Sequence, residues 1–292
     1  MKASFPLPPG SVLGLMGGGQ LGRMFAQSAA TLGYRVAVLE KNACPASEVS
    51  DQHIAAAYTD PAALASMKKI TAAVTTEFEN VPADALTHLA TGEDACITAP
   101  AADAVSVAQD RLTEKTFLEK TAGIPVAPHA AVLSEADAEN LSEDLFPGIL
   151  KTTRLGYDGK GQTTVRSRDD VKAAFREMGS VPCILEKRLA LAAEVSVIVA
   201  RGMTGDAVTF PVFENHHKNG ILAETVVPAR VPKVVGRSAC LRRKSRSRPS
   251  LHGRPLHRIL HFGRRHRRRQ RNGTASAQFR SRDDRSLRDE SV

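Results

Sequence analysis

The stretch SVLGLMGGGQLGRMFAQSAATLGYRVAVLEKN, residues 11–42, constrains the fold more than any other part of the sequence. A short apolar run, Val12 to Met16, precedes three glycines spaced G-x-G-x-x-G, and a helical segment and a second apolar run follow. The helix is predicted to end at Gly33. Its spacing places four residues on one face: Leu21, Phe25, Ser28 and Leu32. A strand, a helix and a strand in this order predict a βαβ unit and therefore a parallel sheet.

The glycine turn between the first strand and the helix is the first candidate binding site. Glycine lets the backbone turn sharply and approach an anion at the N-terminus of the following helix. One interpretation is the dinucleotide site of a nicotinamide oxidoreductase, with Glu40 on a ribose. Two others are a tight turn without a ligand, and a turn that holds another phosphate with the help of the Gln20 amide. The motif alone leaves all three open.

A further strand is predicted in AAVTTEFENVP, and it ends in the polar residues Glu77, Glu79 and Asn80. Ligands of parallel sheets bind beyond the carboxyl ends of the strands, so these side chains are candidate contacts. The pattern changes from about residue 130 onward. FPGILKTTRLGYDGKGQTTV and PCILEKRLA predict three strands, and EVSVIVARGMTGDAVTFPVFENHH predicts two more around a Gly-Asp turn. The expected fold class is α/β followed by an antiparallel α+β portion.

The loop GYDGKGQ, residues 156–162, carries three glycines in seven positions. Its backbone N–H groups and Lys160 could close on a polyphosphate, or the loop could be a hairpin tip without a ligand. It is not a Walker loop, because the Gly-Lys-Ser/Thr ending is absent. Several charged residues nearby are open between a nucleotide-binding role and an ordinary surface role: Arg111, Lys151, Glu186 and Glu194. His217 is open between a ligand and an ordinary loop histidine.

Taken in order, these stretches resemble one family, the 5-(carboxyamino)imidazole ribonucleotide synthases, which are ATP-grasp enzymes of purine biosynthesis. The resemblance rests on GGGQLGRM, TTEFENVP, QDRLTEKTFLEK, GIPVAP, LKTTRLGYDGKGQ, EKRLALAAEVSVIVAR and ENHHKNGILAETVVPAR. It covers residues 10–231. It implies a Rossmann-like preATP-grasp domain in residues 1–108 and an incomplete ATP-grasp domain in residues 109–231. Residues 232–292 are then a disordered basic tail.

The resemblance also implies a reaction and a role for individual residues. ATP, Mg²⁺ and bicarbonate would form carboxyphosphate, and its carbon would pass to the amine of 5-aminoimidazole ribonucleotide. ATP is implied to contact Arg111, Lys151, Gly156, Tyr157, Asp158, Gly159, Lys160, Gly161, Gln162, Glu186, Lys187, Arg188, Leu189, Glu194 and His217. The catalytic subset is Lys151, Tyr157, Asp158 and Lys160. The ribonucleotide is implied to contact Gln20, Leu21, Glu77, Asn80 and Tyr157.

Hydropathy and cysteine usage bound the compartment. The sequence has no run of about 18 apolar residues, so no membrane span is predicted. The cysteines have no paired spacing, which argues against a zinc site or a disulfide framework and favours the reducing cytoplasm: Cys44, Cys96, Cys183 and Cys240. The resemblance further implies a homodimer.

The net charge of +9 is unevenly distributed along the 292 residues. Lys233 to Val292 holds 19 Lys and Arg against 4 Asp and Glu, whereas the rest of the chain holds 21 against 27. Such a segment could bind nucleic acid through phosphate contacts, so a nucleic-acid-binding protein is the alternative class. Only Phe262 and Phe279 offer rings for stacking on bases. We therefore expect a disordered tail with non-specific, salt-dependent affinity at most.

The tail also lacks the magnesium carboxylates that the resemblance implies after VVPAR, namely a strand Glu and an Asn-Glu pair before Pro-His-Asn-Ser-Gly-His. Codons permitted for Gln270 to Ser281, read one base later, can spell Asn-Glu-Met-Ala-Pro-Arg-Pro-His-Asn-Ser-Gly-His. The same offset over Leu256 to His261 can spell Cys-Ile-Glu-Phe-Phe. We interpret the tail as frameshifted between Arg230 and Gly236. A chain without these Mg²⁺ ligands is expected to be catalytically weak or inactive.

Overall fold

The computed structural model describes residues 6–156, 161–202, 206–218 and 221–230. Its N-terminal part alternates strands and helices as β1 (Val12–Met16), α1 (Gln20–Thr31), β2 (Arg35–Leu39), β3 (Gln52–Ile54), α2 (Pro61–Ile70), β4 (Ala73–Thr76), α3 (Ala83–Ala90), β5 (Ile97–Thr98) and α4 (Ala102–Ala108). The strands form one parallel sheet in the order β3-β2-β1-β4-β5. The predicted βαβ opening and its parallel sheet are confirmed.

The parallel sheet is buried on both faces, which explains why its central strands read as nearly continuous apolar runs. Met16, Leu39 and Val74 are at most 1% exposed. Helices α2 and α3 cover them with a set of buried apolar side chains: Leu64, Met67, Leu86 and Leu89. Leu15 and Val38 point to the other face and pack against α1.

Helix α1 packs with a different face from the one that the sequence predicts. Leu21, Ser28 and Leu32 are exposed, and Phe25 is only half-buried. The buried residues are small instead: Gly22, Ala26 and Ala29. A Cβ on Gly22 would lie 3.0 Å from Leu15 of β1, so the helix comes too close to the sheet for large side chains. The predicted end of the helix holds, since Gly33 has φ of +81°.

The second part of the chain is built around an antiparallel sheet. Its elements are α5 (Arg111–Thr116), a π-helical turn (Phe117–Thr121), β6 (His129–Val132), α6 (Glu135–Glu139), a 3-10 turn (Glu143–Leu145), β7 (Gly148–Thr152), β8 (Gln162–Val165), α7 (Arg168–Glu177) and β9 (Cys183–Lys187). The strand order is β6-β9-β7-β8. Leu150 and Leu185 point from the central strands into a core with Phe175 of α7. The glycine-rich loop therefore joins two adjacent antiparallel strands, as predicted.

The last described region contains short strands: β10 (Glu194–Ser196), β11 (Val199–Arg201), β12 (Ala207–Thr209), β13 (Phe213–Lys218) and β14 (Ile221–Val226). They form a three-stranded sheet β10-β13-β14 and a hairpin β11-β12. The two strands predicted over residues 194–217 are therefore four. Pro211, which has no N–H to give to a ladder, separates β12 from β13. His217 lies in β13 and not in a loop, which corrects the expectation from sequence.

The predicted fold class is confirmed: a parallel α/β portion precedes an antiparallel α+β portion. None of the helices in the described ranges is long and apolar enough to cross a membrane. The tail, residues 232–292, lies outside the described residues, and with it Cys240. Domain boundaries after residues 108 and 231 stay predictions.

Candidate functional site

The glycine turn between β1 and α1 holds a carboxylate of its own chain. Gly17 has φ of +103°, a conformation that favours glycine. Glu77 follows β4, and its carboxylate accepts hydrogen bonds from the N–H of Gly19 and, over 3.1 Å, from the N–H of Gly22. A Cβ on Gly19 would lie only 2.5 Å from Oε1 of Glu77. The glycines thus let Glu77 approach and cap the free N–H groups of α1.

This arrangement argues against the dinucleotide interpretation. A pyrophosphate would have to lie at the N-terminus of α1, where Glu77 already places a negative charge. Glu40, the candidate ribose contact, accepts a hydrogen bond from the hydroxyl of Tyr58. Burial, followed by this bond to Glu40, raises the pKa of Tyr58, so the hydroxyl stays protonated. Phe78 holds the Tyr58 ring edge-on, with ring centroids 6.4 Å apart.

The predicted ribonucleotide contacts of this part lie around the turn, at the carboxyl edge of the parallel sheet: Gln20, Leu21, Glu77 and Asn80. The loop that carries Asn80 is fixed from the start of the second part of the chain. The amide of Gln109 donates to the carbonyl oxygens of Glu79, over 2.7 Å, and of Val81, over 2.6 Å. Gln109 therefore joins this edge of the sheet to the segment that leads into α5.

Helix α5 is joined to the stem of the glycine-rich loop. Asp110 caps the helix by accepting hydrogen bonds from two N–H groups of its first turn. The Arg111 guanidinium donates to the carbonyl oxygens of Thr152 and Gly156, each over 3.2 Å. The Arg111 N–H donates to the carbonyl oxygen of Thr153 over 3.0 Å. The first residue of the loop and the first turn of α5 are thus held together.

A buried carboxylate with two lysines lies beside this junction. Oε2 of Glu186 is 3.1 Å from Nζ of Lys151, and Oε1 of Glu186 is 3.3 Å from Nζ of Lys115. The Glu186 side chain is 15% exposed. Burial alone would raise the pKa of Glu186, but the charges of Lys151 and Lys115 outweigh it and hold that pKa below its usual range. With Arg111 beside them, these groups leave an excess of positive charge next to the loop, as polyphosphate binding requires.

Glu194 and His217 form a second pair. Nδ1 of His217 is 2.7 Å from Oε2 of Glu194. They come from the adjacent antiparallel strands β10 and β13, in which Glu194 lies opposite Asn215. Each side chain is 25% exposed. Two residues that the sequence placed in one nucleotide site are therefore in contact with each other.

The remaining predicted nucleotide contacts lie at both ends of the glycine-rich loop and at the end of β9. Gly161 has φ of +68°, and its carbonyl oxygen accepts a hydrogen bond from the Thr152 N–H, which closes the base of the loop. Gln162 begins β8 and Lys187 ends β9. Arg188 and Leu189 follow Lys187 directly. The loop residues that remain lie outside the described residues: Tyr157, Asp158, Gly159 and Lys160.

The described residues do not fit a Mg²⁺ site. Across residues 6–156, 161–202, 206–218 and 221–230, no group of three or more His, Cys, Asp or Glu side chains is placed to hold a metal ion. The carboxylates of the predicted nucleotide contacts Glu186 and Glu194 are already engaged, the first with two lysines and the second with His217. The expectation that this chain lacks its Mg²⁺ ligands concerns residues 231–292 and stays a prediction.

Sequence reasoning missed two residues of the site, Lys115 and Gln109. Lys115 lies four positions after Arg111 in QDRLTEK, so both face the same side of α5. That spacing was the available signal for Lys115. Gln109 carried no such signal, because its partners are backbone carbonyl groups about 30 positions earlier in the chain.

Two protein-family models match the chain. Residues 11–109 match the ribonucleotide synthetase preATP-grasp domain, and residues 117–242 match the ATP-grasp domain. Together with the parallel sheet and the antiparallel sheet, these matches define the class of fold as a preATP-grasp domain followed by an ATP-grasp domain.

Relatives of known name narrow the class. N5-carboxyaminoimidazole ribonucleotide synthases from Brucella melitensis and Bacillus subtilis are 47% and 39% identical over 232 and 233 residues, covering 77% and 79% of this chain. The chain spans 62% and 60% of their lengths. The part of the chain that these relatives cover is similar to the N5-carboxyaminoimidazole ribonucleotide synthases, which confirms the resemblance found in the sequence.

Solved structures agree with this assignment. A Staphylococcus aureus N5-carboxyaminoimidazole synthetase complexed with ADP is 37% identical, with a TM-score of 0.75, over 82% of this chain and 64% of that chain. An Aspergillus clavatus N5-carboxyaminoimidazole synthase in complex with ADP and the aminoimidazole ribonucleotide is 28% identical, with a TM-score of 0.70, over 80% and 61%.

Proposed function

We propose that this chain carries the nucleotide and ribonucleotide sites for ATP-dependent carboxylation of 5-aminoimidazole ribonucleotide by bicarbonate, a step of purine biosynthesis. The products would be 5-(carboxyamino)imidazole ribonucleotide, ADP and phosphate. The observation that carries the proposal is the pair of lysines on Glu186, Lys115 and Lys151, together with Arg111, which is bound to the stem of the glycine-rich loop. The complexes of two relatives with ADP support the same class of ligand.

The proposed reaction requires positive charge at the phosphate oxygens and the exclusion of water from the carboxyphosphate. Transfer of the γ-phosphoryl group to bicarbonate spreads negative charge over the phosphate oxygens, and fixed cations stabilise that charge. Lys151 is the last residue but one of β7, and it lies five positions before Gly156, where the loop begins, so it is positioned to turn from Glu186 to phosphate. The loop residues 156–162 would then cover the carboxyphosphate and keep water from it. Tyr157, Asp158 and Lys160 would act from within that loop.

We assign the other predicted nucleotide contacts to the adenosine part of ATP. Glu186 to Leu189 would present the end of β9 to the base, and the pair Glu194–His217 would hold the ribose side. The contact between Nδ1 of His217 and Oε2 of Glu194 would hold both side chains in place beside the ribose.

The ribonucleotide would bind at the carboxyl edge of the parallel sheet, near Gln20, Leu21 and Asn80. Glu77 holds the glycine turn, and its oxygens retain lone pairs that could also accept from a substrate group. Tyr157 would reach this site from the glycine-rich loop. The substrate amine would attack the carboxyl carbon, and phosphate would leave with the C–O bond electrons.

We further propose that this chain is impaired. Mg²⁺ would neutralise phosphate charge in this reaction, and the described residues contain no ligand set for it. We place the boundaries of the two domains and the tail after residues 108 and 231. We also propose that the protein is a cytoplasmic enzyme and that it can form a homodimer.

A frameshift between Arg230 and Gly236 explains the tail. Sequencing the DNA across those codons tests this, and an error-free frame without the hidden motif would disprove it.

The test of function is ADP release by the full chain with ATP, Mg²⁺, bicarbonate and 5-aminoimidazole ribonucleotide. We expect release that depends on the ribonucleotide but is slow compared with the Bacillus subtilis relative assayed in parallel. Turnover equal to that of the relative would refute the impairment. Release that does not depend on the ribonucleotide would refute the substrate assignment.

A further inference from the structure

Two lysines contact Glu186, although one would be enough to neutralise it. Glu186 lies on β9, between β6 and β7, opposite His129 and Ile149. Lys151 lies opposite Ile184, two positions before Glu186 on β9, so it is a diagonal neighbour on the same face of the sheet. Lys115 reaches the same carboxylate from α5. Each oxygen of Glu186 has one lysine, at 3.3 Å and 3.1 Å.

The two lysines differ in what else they can do. Lys151 is five residues before Gly156, where the glycine-rich loop begins, and is therefore free to turn toward a ligand in that loop. Lys115 sits on α5, whose start is held by the Asp110 cap and by the bonds of Arg111 to the β7 stem. Lys115 thus stays in place when Lys151 moves.

We propose that Lys115 is a positioning residue that keeps the Glu186 carboxylate ionised when Lys151 leaves it for the phosphates of a bound nucleotide. The proposal rests on the function proposed above, in which Lys151 contacts phosphate. Without Lys115, a carboxylate with 15% exposure would lose both cations and take up a proton. Nucleotide binding would then be coupled to pH, and Glu186 would no longer hold its place at the end of β9.

The proposal can be tested in the free protein, because Lys151→Met imitates the departure of that lysine. The full chain with ¹³C-labelled Glu carboxyl groups is titrated by NMR, with Glu186 assigned from Glu186→Gln. In Lys151→Met, the pKa of Glu186 is expected to stay at or below its ordinary value. In Lys151→Met/Lys115→Met, we expect it to rise by about 1 to 3 units, as for buried carboxyls without a cation.

Two controls make the comparison specific. Lys151→Met/Lys120→Met removes an exposed lysine five positions along the same helical segment, and it should match Lys151→Met alone. His129 lies opposite Glu186 on β6, but it is common to all variants and its ring contacts the Ala127 carbonyl oxygen. A Glu186 pKa that is the same with and without Lys115 would overturn the proposal.

A second measurement uses the single variant, which keeps Lys151 and does not depend on the double variant folding. ADP is titrated calorimetrically at pH 6 in two buffers of different ionisation enthalpy, which counts the protons taken up on binding. Wild type and Lys115→Arg are expected to take up fewer protons than Lys115→Met. Equal uptake in all three overturns the role of Lys115. Absence of ADP binding by the wild type instead overturns the proposed function, while the NMR titration still decides the role of Lys115.

Discussion

Removing the Glu77 carboxylate should destabilise the first part of the chain. Glu77→Ala leaves the N–H groups of Gly19 and Gly22 without their acceptor at the start of α1. Hydrogen bonds to a charged group contribute about 1.5 to 3 kcal/mol each when fully formed, and loss of a helix cap costs about 0.5 to 2 kcal/mol. Because Glu77 is only half-buried and water can replace part of the loss, we expect about 2 kcal/mol for Glu77→Ala.

Glu77→Gln should cost about half as much, since an amide keeps one acceptor oxygen but turns its NH₂ group toward the other N–H. The free energy of unfolding is measured by urea denaturation at 25 °C, followed by circular dichroism at 222 nm. Glu79→Gln is the matched control, because its side chain is exposed two positions further on, and it should change stability by less than about 0.5 kcal/mol. The account of the glycine turn is wrong if Glu77→Ala has the same urea midpoint as the wild type. It is also wrong if Glu79→Gln lowers the free energy of unfolding as much as Glu77→Ala does.

Four further outcomes are expected. Gly18→Ala should destabilise the chain, because its Cβ would lie 2.2 Å from Sγ of Cys44, and adding Cys44→Ala should recover part of the loss in urea denaturation. Leu185→Ala removes a fully buried side chain and should cost about 2 to 5 kcal/mol in the same assay. The pKa of Glu186 is lowered in the folded chain, so its ionised carboxylate stabilises the fold. This stabilisation is fully present above the unfolded-state pKa of about 4.3. This stability is lost as the pH falls through the folded-state pKa. The difference in melting temperature between the wild type and Glu186→Gln should therefore shrink as the pH is lowered. Deleting residues 232–292 should abolish binding to a fluorescent RNA but leave ADP affinity unchanged; sequence-selective RNA binding at physiological salt would favour the alternative class.

The elements that could be predicted are those whose signal is local. The run Val12 to Met16, the turn glycines and the cap Gly33 each lie within a few positions of the structure they specify. The same holds for the strands on either side of the glycine-rich loop, β7 and β8. In each case the apolar period and the position of glycine are sufficient.

The features that could not be predicted depend on contacts between distant residues. The prediction of the buried face of α1 was wrong. The short distance between this helix and the sheet, and not the hydrophobicity of its side chains, decides which residues are buried there. Glu77 accepts from Gly19, 58 positions earlier, so no periodicity reveals it as a cap. Lys115 lies on α5 and Glu186 on β9, and no pattern in the sequence predicts that these two elements pack together.

The central claim is that the cations beside the glycine-rich loop form a nucleotide site, and titration of ADP into the full chain by calorimetry tests it most directly. We expect saturable binding of one ADP per chain, weakened about tenfold or more, equal to about 1.4 kcal/mol, by Lys151→Met. Lys120→Met, which removes an exposed lysine of the same charge, should leave the affinity unchanged. Absence of binding, or equal affinity in wild type and Lys151→Met, would contradict the account.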